Sequence, residues 1–265
     1  MHFIVNSTSK GNQPKFTMNG WFYKEDYLGY ESIAEVLASE LLHFIQGVEF
    51  LDYFLEEVEA EVPLEDGTGF ETKTLYCCKS KIYTEGDFIA LSKILSIFGE
   101  ENKYNKYTGR VLVDYVVECV KNATGLDIRH YLGVLAYLDS ILLNEDRHLT
   151  NICLIEKDGV YREAPIFDNG LSLLADTKVF LMAGQKDIYM RNVKCKPFST
   201  SFKKQTRYFD NEPLVIDIDG FKERLDLVDS NLDLYVPFKK EEYKRAKYVL
   251  LKRLRDTEGD LWVKK

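Results

Sequence analysis

The chain has 265 residues, 45% hydrophobic and 29% charged, with a net charge of −8 and a pI near 5.2. These values argue against a disordered chain and a short disulfide scaffold. A surface this acidic would repel a phosphate backbone, so no nucleic-acid partner is expected. The length suits one large domain or two small lobes, and five cysteines without a CxxC pair fit a reducing cytoplasm.

Taken in chain order, the first ten residues lack a cationic start followed by an apolar core, so no export signal is read there. Residues 15–18 and 20–24 read as short strands around Asn19-Gly20, a strong hairpin signal. Within 31–46, Ile33, Leu37, Leu41, Phe44 and Ile45 recur at helical spacing, which predicts a helix with one apolar stripe. Glu31 and Glu35 fall together off that stripe. Residues 54–63 and 72–83 flank the turn-rich Glu65-Asp66-Gly67-Thr68-Gly69 and predict a second hairpin. The chain is expected to pass between lobes at 76–80. The vicinal Cys77 and Cys78 are read as packing residues, because nothing nearby would lower a thiol pKa. From there helical patterns dominate, over 88–98, 109–122, 130–143 and 241–255, the last with Tyr243, Ala246, Val249, Leu250 and Leu254 inward. The apolar run 131–143 is interrupted by Asp139, so no membrane span is expected. The expected fold class is α+β, with a small mixed β/α lobe over residues 1–80 and a mainly α-helical lobe over 81–265. No repeat of solenoid length is visible.

The informative stretch runs from Leu142 to Ile155 and contains Asn144-Glu145-Asp146-Arg147-His148-Leu149-Thr150-Asn151. It is followed by Ile166-Phe167-Asp168-Asn169-Gly170. A helix ends, a polar loop follows, and strand-like runs come next. Phosphoryl transfer needs an oriented hydroxyl, a metal held between phosphates and neutralised charge, which two carboxylates and one amide can supply. Asn151 lies five positions after Asp146, the Asp-to-Asn spacing of a kinase catalytic loop. A hard magnesium ion prefers oxygen donors, so Asp168 beside the Asn151 amide suits it better than a cysteine or histidine cage. Gly170 stands where such a loop needs backbone freedom to turn away.

These segments resemble the HipA-like family of bacterial Ser/Thr kinases, including its CtkA-type members, and more distantly the phosphoinositide kinases, which share Asp-Arg-His-x-x-Asn. The resemblance extends upstream. Gly11-Asn12-Gln13-Pro14-Lys15, then Trp21-Phe22-Tyr23-Lys24 and Gly29-Tyr30-Glu31, resemble that family's phosphate loop, ATP lysine and acidic helix. It implies a two-lobed protein-kinase-like fold and transfer of the γ-phosphate of ATP, with Mg2+, to a protein hydroxyl. Asp146 would be the catalytic base, His148 and Asn151 would contact nucleotide and metal, Asp168 would hold magnesium, and Lys24 would reach the phosphates beside Gly11 and Lys15. Glu31 fits the family pattern as the partner of Lys24, with Glu35 as the alternative one helical turn on. The offset of Thr8 from Gly11 and Lys15 implies self-phosphorylation within Ser7, Thr8 and Ser9. There is no GxGxxG, and the order Asp-Arg-His replaces His-Arg-Asp, so eukaryotic-type protein kinases match poorly. Toxins of the family carry a further domain ahead of the kinase core for which this chain lacks room, which puts an antitoxin partner in doubt. A lipid or small-molecule kinase using the same residues, and a nucleotide-binding pseudokinase, stay open as alternatives.

Between Thr177 and Tyr208 there are eight Lys or Arg against one acid, Asp187. A local basic field follows, suited either to solvent or to an acidic or phosphorylated partner.

Overall fold

The computed structural model describes residues 13–64, 68–99 and 106–265. Gly11, Ser7, Thr8 and Ser9 lie outside the described residues, as does the tip of the second hairpin.

β1 (Lys15–Met18) and β2 (Trp21–Glu25) pair antiparallel from Lys15↔Lys24 to Met18↔Trp21. Asn19 and Gly20 both have positive φ, 50° and 81°, the twist a two-residue hairpin requires and the reason Asn-Gly signals one. β3 (Phe54–Pro63) and β4 (Phe70–Lys81) complete an antiparallel sheet of order β1-β2-β4-β3. Residues 76–80, expected as a connection, are strand. They lie inside β4, with residues 77–79 paired to β2 on one side and β3 on the other, Tyr76 to β3 and Ser80 to β2, because a sheet interior satisfies their backbone groups better than a linker would. Residues directly opposite share a face, so Lys15, Lys24 and Cys78 stand on one side of the sheet. Phe16, Tyr23, Val58, Ala60, Leu75 and Cys77 form a small apolar cluster on the other. Burial pushes both the Cys77 and Cys78 thiols above their ordinary range, which matches inert packing.

α1 (Glu31–Leu42) is shorter than its periodicity predicts. The Phe44 and Ile45 N–H groups turn to the carbonyls of Leu41 and Leu42, and that of Gln46 goes to Val215, so tertiary pairing unwinds the last turn. Ile33, Leu37 and Leu41 are buried as the stripe predicts. They join a core that continues through the helical remainder of the chain. The expected division at residue 80 thus falls at the end of β4, while α1 shares its core with the C-terminal helices.

The single helix predicted over 88–98 is in fact two elements, β5 (Asp87–Ala90) and α2 (Leu91–Phe98). Phe88 and Ile89 pair with Ile155 and Leu154 of β6 (Cys153–Lys157), which also carries β7 (Val160–Glu163). Cross-strand partners far along the chain override the local helical spacing. α3 (Gly109–Thr124) stops at Gly125, left-handed with φ 78°, and α4 (Arg129–Leu142) stops at Leu143 with φ 56°. Then come α5 (Lys186–Asn192), α6 (Phe202–Thr206), β8 (Leu214–Ile216), α7 (Ile218–Ser230), α8 (Leu232–Tyr235), α9 (Lys240–Thr257) and β9 (Trp262–Lys264). β8 and β9 run parallel. The five residues expected inward on α9 are buried, and α9 packs against α1 and α4. Among the described residues no helix is long and apolar enough to cross a membrane.

Candidate functional site

The site is organised around a buried charge that α4 carries. Asp139 and Arg147 are each 1% exposed, and such groups persist in an interior only when paired and hydrogen-bonded. Arg147 Nε donates to both Asp139 oxygens at 3.2 Å, and Nη2 to Oδ1 at 3.0 Å. The rest of the guanidinium reaches Asn169 Oδ1 at 2.6 Å, the Phe167 carbonyl at 2.7 Å and the Asn151 carbonyl at 3.3 Å. One side chain therefore ties the end of α4 to the loop holding Asn151 and to the turn holding Asp168. Asn144 completes the frame: its Nδ2 donates to Asp139 Oδ1 at 3.1 Å, and its Oδ1 accepts from the Asp146 N–H at 3.0 Å. Burial works against charge on both groups, lifting the Asp139 carboxyl above its ordinary value, while Asp139 holds the guanidinium of Arg147 above its own.

Asp168 sits left-handed, φ 62°, a conformation that Asp and Asn adopt more readily than other side chains. Its Oδ1 accepts from Lys24 Nζ at 2.8 Å, and Lys24 also donates to Glu35 Oε1 at 2.5 Å. The second oxygen of Glu35 accepts from the Asn169 N–H. Glu35 therefore holds both the lysine and the backbone beside Asp168. Burial alone would lower the Lys24 pKa, yet Asp168 and Glu35 hold its ammonium well above the usual lysine value. Burial likewise opposes ionisation of Asp168, but Lys24, Lys15 and Arg147 keep its carboxyl below the usual carboxylate range. The turn differs from expectation at Gly170. The left-handed residue is Asp168 itself, whereas a Cβ at Gly170 would come within 3.2 Å of Glu31 Cβ, so glycine serves close approach there.

The pairing of Lys24 with Glu31 is also corrected. Glu31 opens α1, and its carboxylate accepts from the N–H groups of Tyr27, Leu28 and Gly29 at 3.2, 2.6 and 2.9 Å. That spends it on the turn before the helix. Glu35, one turn deeper and fully buried, is the residue that faces the sheet. Glu35→Gln is therefore expected to lower any turnover by about 10²-fold through misplacement of Lys24, whereas Glu31→Gln should cost about 1–2 kcal/mol of stability at the helix start with the smaller effect on rate. Steady-state kinetics and thermal melts of both variants check this, and the reverse ranking would refute the pairing.

Asp146, His148, Asn151, Asp168, Lys15, Glu31 and Gly170 line one cleft of about 500 Å³. The structure thus brings together all the described residues singled out in the sequence, with Lys24 entering through Asp168. Asp146 Oδ1 lies 2.6 Å from His148 Nε2 and 3.0 Å from Lys196 Nζ, and Lys196 is also 3.0 Å from His148 Nε2. Asn151 Nδ2 donates to the Asp146 carbonyl at 3.0 Å, which fixes the amide across the loop. Burial and the nearby Asp176 carboxylate push Glu145 up to about 7. Arg147, Asn144 and Asn169 were missed by sequence reasoning, and Lys196 was read only as one of the basic residues between Thr177 and Tyr208. Only the first had a readable signal: Asp139, alone in an apolar helix, needs a buried cation.

No family model matches the chain, and no curated protein matches it. Among solved structures it is similar to the crystal structure of a proinflammatory kinase from Helicobacter pylori, CtkA, with 16% identity and a TM-score of 0.59, over 96% of this chain and 90% of that one. At that identity the likeness speaks for the fold: a mixed α/β architecture similar to that of a bacterial kinase.

Proposed function

We propose that the chain is an ATP- and Mg2+-dependent phosphotransferase of the HipA-like Ser/Thr protein kinase type, acting on a protein hydroxyl and on its own chain. The observation that carries this reading is the convergence of Asp146, Asn151, Asp168 and the Lys24–Glu35 pair on one cleft, together with the likeness to a kinase fold. The donor set fits magnesium. Asp168 offers a carboxylate whose second oxygen is free of Lys24, and Asn151 adds an amide oxygen, while among the described residues no cluster of three His, Cys, Asp or Glu competes as a transition-metal cage. Asp168 and Asn151 would hold the ion, which when bound would supply positive charge against that developing on the phosphates during transfer.

The chain's own residues do the rest. Asp146 accepts the proton of the acceptor hydroxyl and orients its oxygen toward the terminal phosphorus. Lys24, held in place by Glu35, neutralises the nucleotide phosphates, and Lys15 enters the same cleft. Lys196, on Asp146 and His148, brings a positive charge to the acceptor side. The P–O bond to the leaving diphosphate breaks as the bond to the acceptor oxygen forms. The Arg147 frame holds base and metal ligands within one rigid unit, which is how positioning contributes most to this chemistry.

Incubation with radiolabelled ATP and Mg2+ over protein, phosphoinositide and aminoglycoside acceptors tests the reading, with label on the chain itself reporting self-modification. Transfer to lipid or small molecules alone would move the acceptor class, and MgATP binding without transfer to any acceptor would mark a pseudokinase. Lys24→Met is expected to lower kcat/KM by about 10²–10³-fold, the usual cost of deleting one preorganised donor. Unchanged ATP kinetics would remove Lys24 from the phosphates.

A further inference from the structure

A second cleft, of about 960 Å³, lies between α4, α9 and the segment from Met190 to Phe209. Arg191, Lys194, Lys203, Arg207 and Arg253 line it. In a chain of net charge −8, most other cations near acids are paired. Among the described residues, none of these five makes an ion pair with a carboxylate. The acids of the cleft are answered from elsewhere: Asp210 by Arg110 at 3.2 Å, and Asp256 by Lys252 at 3.6 Å and Arg255 at 3.9 Å. Three acids, Asp210, Asp256 and Asp260, thus stand against five positive charges, and Asp256 also acts on Arg253. Arg253 is half-buried and anchored through Nε and Nη2 to the Ser140 carbonyl at 3.2 and 2.7 Å. Ser140 is neutral, so it orients that guanidinium without neutralising it and leaves Nη1 to meet an arriving anion.

The remaining walls narrow the ligand. The hydroxyls of Thr200 and Ser201 can donate to anionic oxygens, while Met190, Phe202, Phe209 and Leu261 add apolar surface. A phosphomonoester on a polypeptide matches both: it carries roughly −1.5 to −2 charge with three acceptor oxygens, and its neighbouring side chains can use the apolar walls. An extended nucleic acid or a flat anionic membrane would instead have to approach a chain whose net charge is −8.

We propose that this cleft binds a phosphorylated segment of a polypeptide, with the phosphate seated on Arg253 and ringed by Arg191, Lys194, Lys203 and Arg207. The cleft adjoins the candidate active site. Lys194 lines it, and Lys196, two residues on, touches Asp146, a backbone span of at most about 7 Å. A polypeptide held there would place hydroxyls near its phosphate beside that site. The binding itself does not depend on the phosphotransferase reading.

The test is fluorescence anisotropy of the full chain, without nucleotide, against a labelled degenerate phosphoserine peptide library and the matched serine library. The phosphorylated library is expected to bind at least about tenfold tighter, and more weakly as salt rises. Lys203→Glu with Arg207→Glu, both at exposed positions, should weaken binding by about tenfold or more with an unchanged far-UV CD spectrum, while Asp260→Asn should strengthen it. Equal binding of the two libraries would overturn the proposal, as would a folded double variant that binds like the wild type. So would binding only to phosphatidylserine vesicles or to single-stranded oligonucleotides.

Discussion

Asp146→Asn and Asp168→Asn should each abolish measurable phosphotransfer, and they should do so with different effects on nucleotide binding. Both substitutions keep size and remove charge, and at position 168 Lys24 keeps its other counter-ion, Glu35. The Asp146 backbone is held by Asn144, and asparagine tolerates the left-handed φ of 62° at position 168. Loss of the proposed base is expected to lower kcat by about 10²–10⁴-fold while sparing MgATP affinity, because the proposal puts Asp146, with Lys196, on the acceptor side. Loss of Asp168 removes the stronger of the proposed metal donors and one of two counter-ions of the buried Lys24. Magnesium-dependent ATP binding should therefore weaken together with turnover. Isothermal titration with and without Mg2+ separates the two. Equal binding losses would deny the division of roles, and wild-type turnover by either variant would remove that residue from the chemistry.

The largest effect on stability is expected at Arg147. Replacing it with methionine leaves the buried Asp139 carboxylate with only Asn144 as a partner, and breaking a buried pair in this way costs about 3–5 kcal/mol. For a domain of this size that corresponds to a fall in Tm of roughly 6–20 °C. The informative comparison is the double variant Asp139→Leu with Arg147→Met. It removes both charges and should recover much of the stability, since apolar replacement of a buried pair is often close to neutral. It should not recover activity, because the carbonyls of Phe167 and Asn151 and the Asn169 amide would still lack their shared donor. Thermal melts paired with turnover measurements decide the matter. A double variant with both restored would show that Arg147 only neutralises Asp139.

Sequence alone reached far wherever the signal is local. The Asn-Gly hairpin was legible because two residues needing positive φ between short strands admit one solution, and the residues buried on α9 were legible because helical spacing selects a face. The Asp146-to-Asn151 spacing and the turn at Asp168 were legible as a constellation, since one loop can carry the first two and one apolar strand delivers the third. What sequence could not decide was which long-range partner each group meets. Residues 88–98 carry helical spacing, yet the first part pairs with β6, whose residues lie more than sixty positions away. Glu31 and Glu35 are equivalent by periodicity, and only the packing of α1 against the sheet turned Glu35 to Lys24 and left Glu31 to the preceding turn. Asp139 and Arg147 are eight residues apart, but their pairing emerges only when the chain folds back past the end of α4. Local periodicity reports which face is apolar. The partner of a buried charge is chosen by the cost of leaving it unpaired, and that cost exists only once the tertiary structure has excluded water.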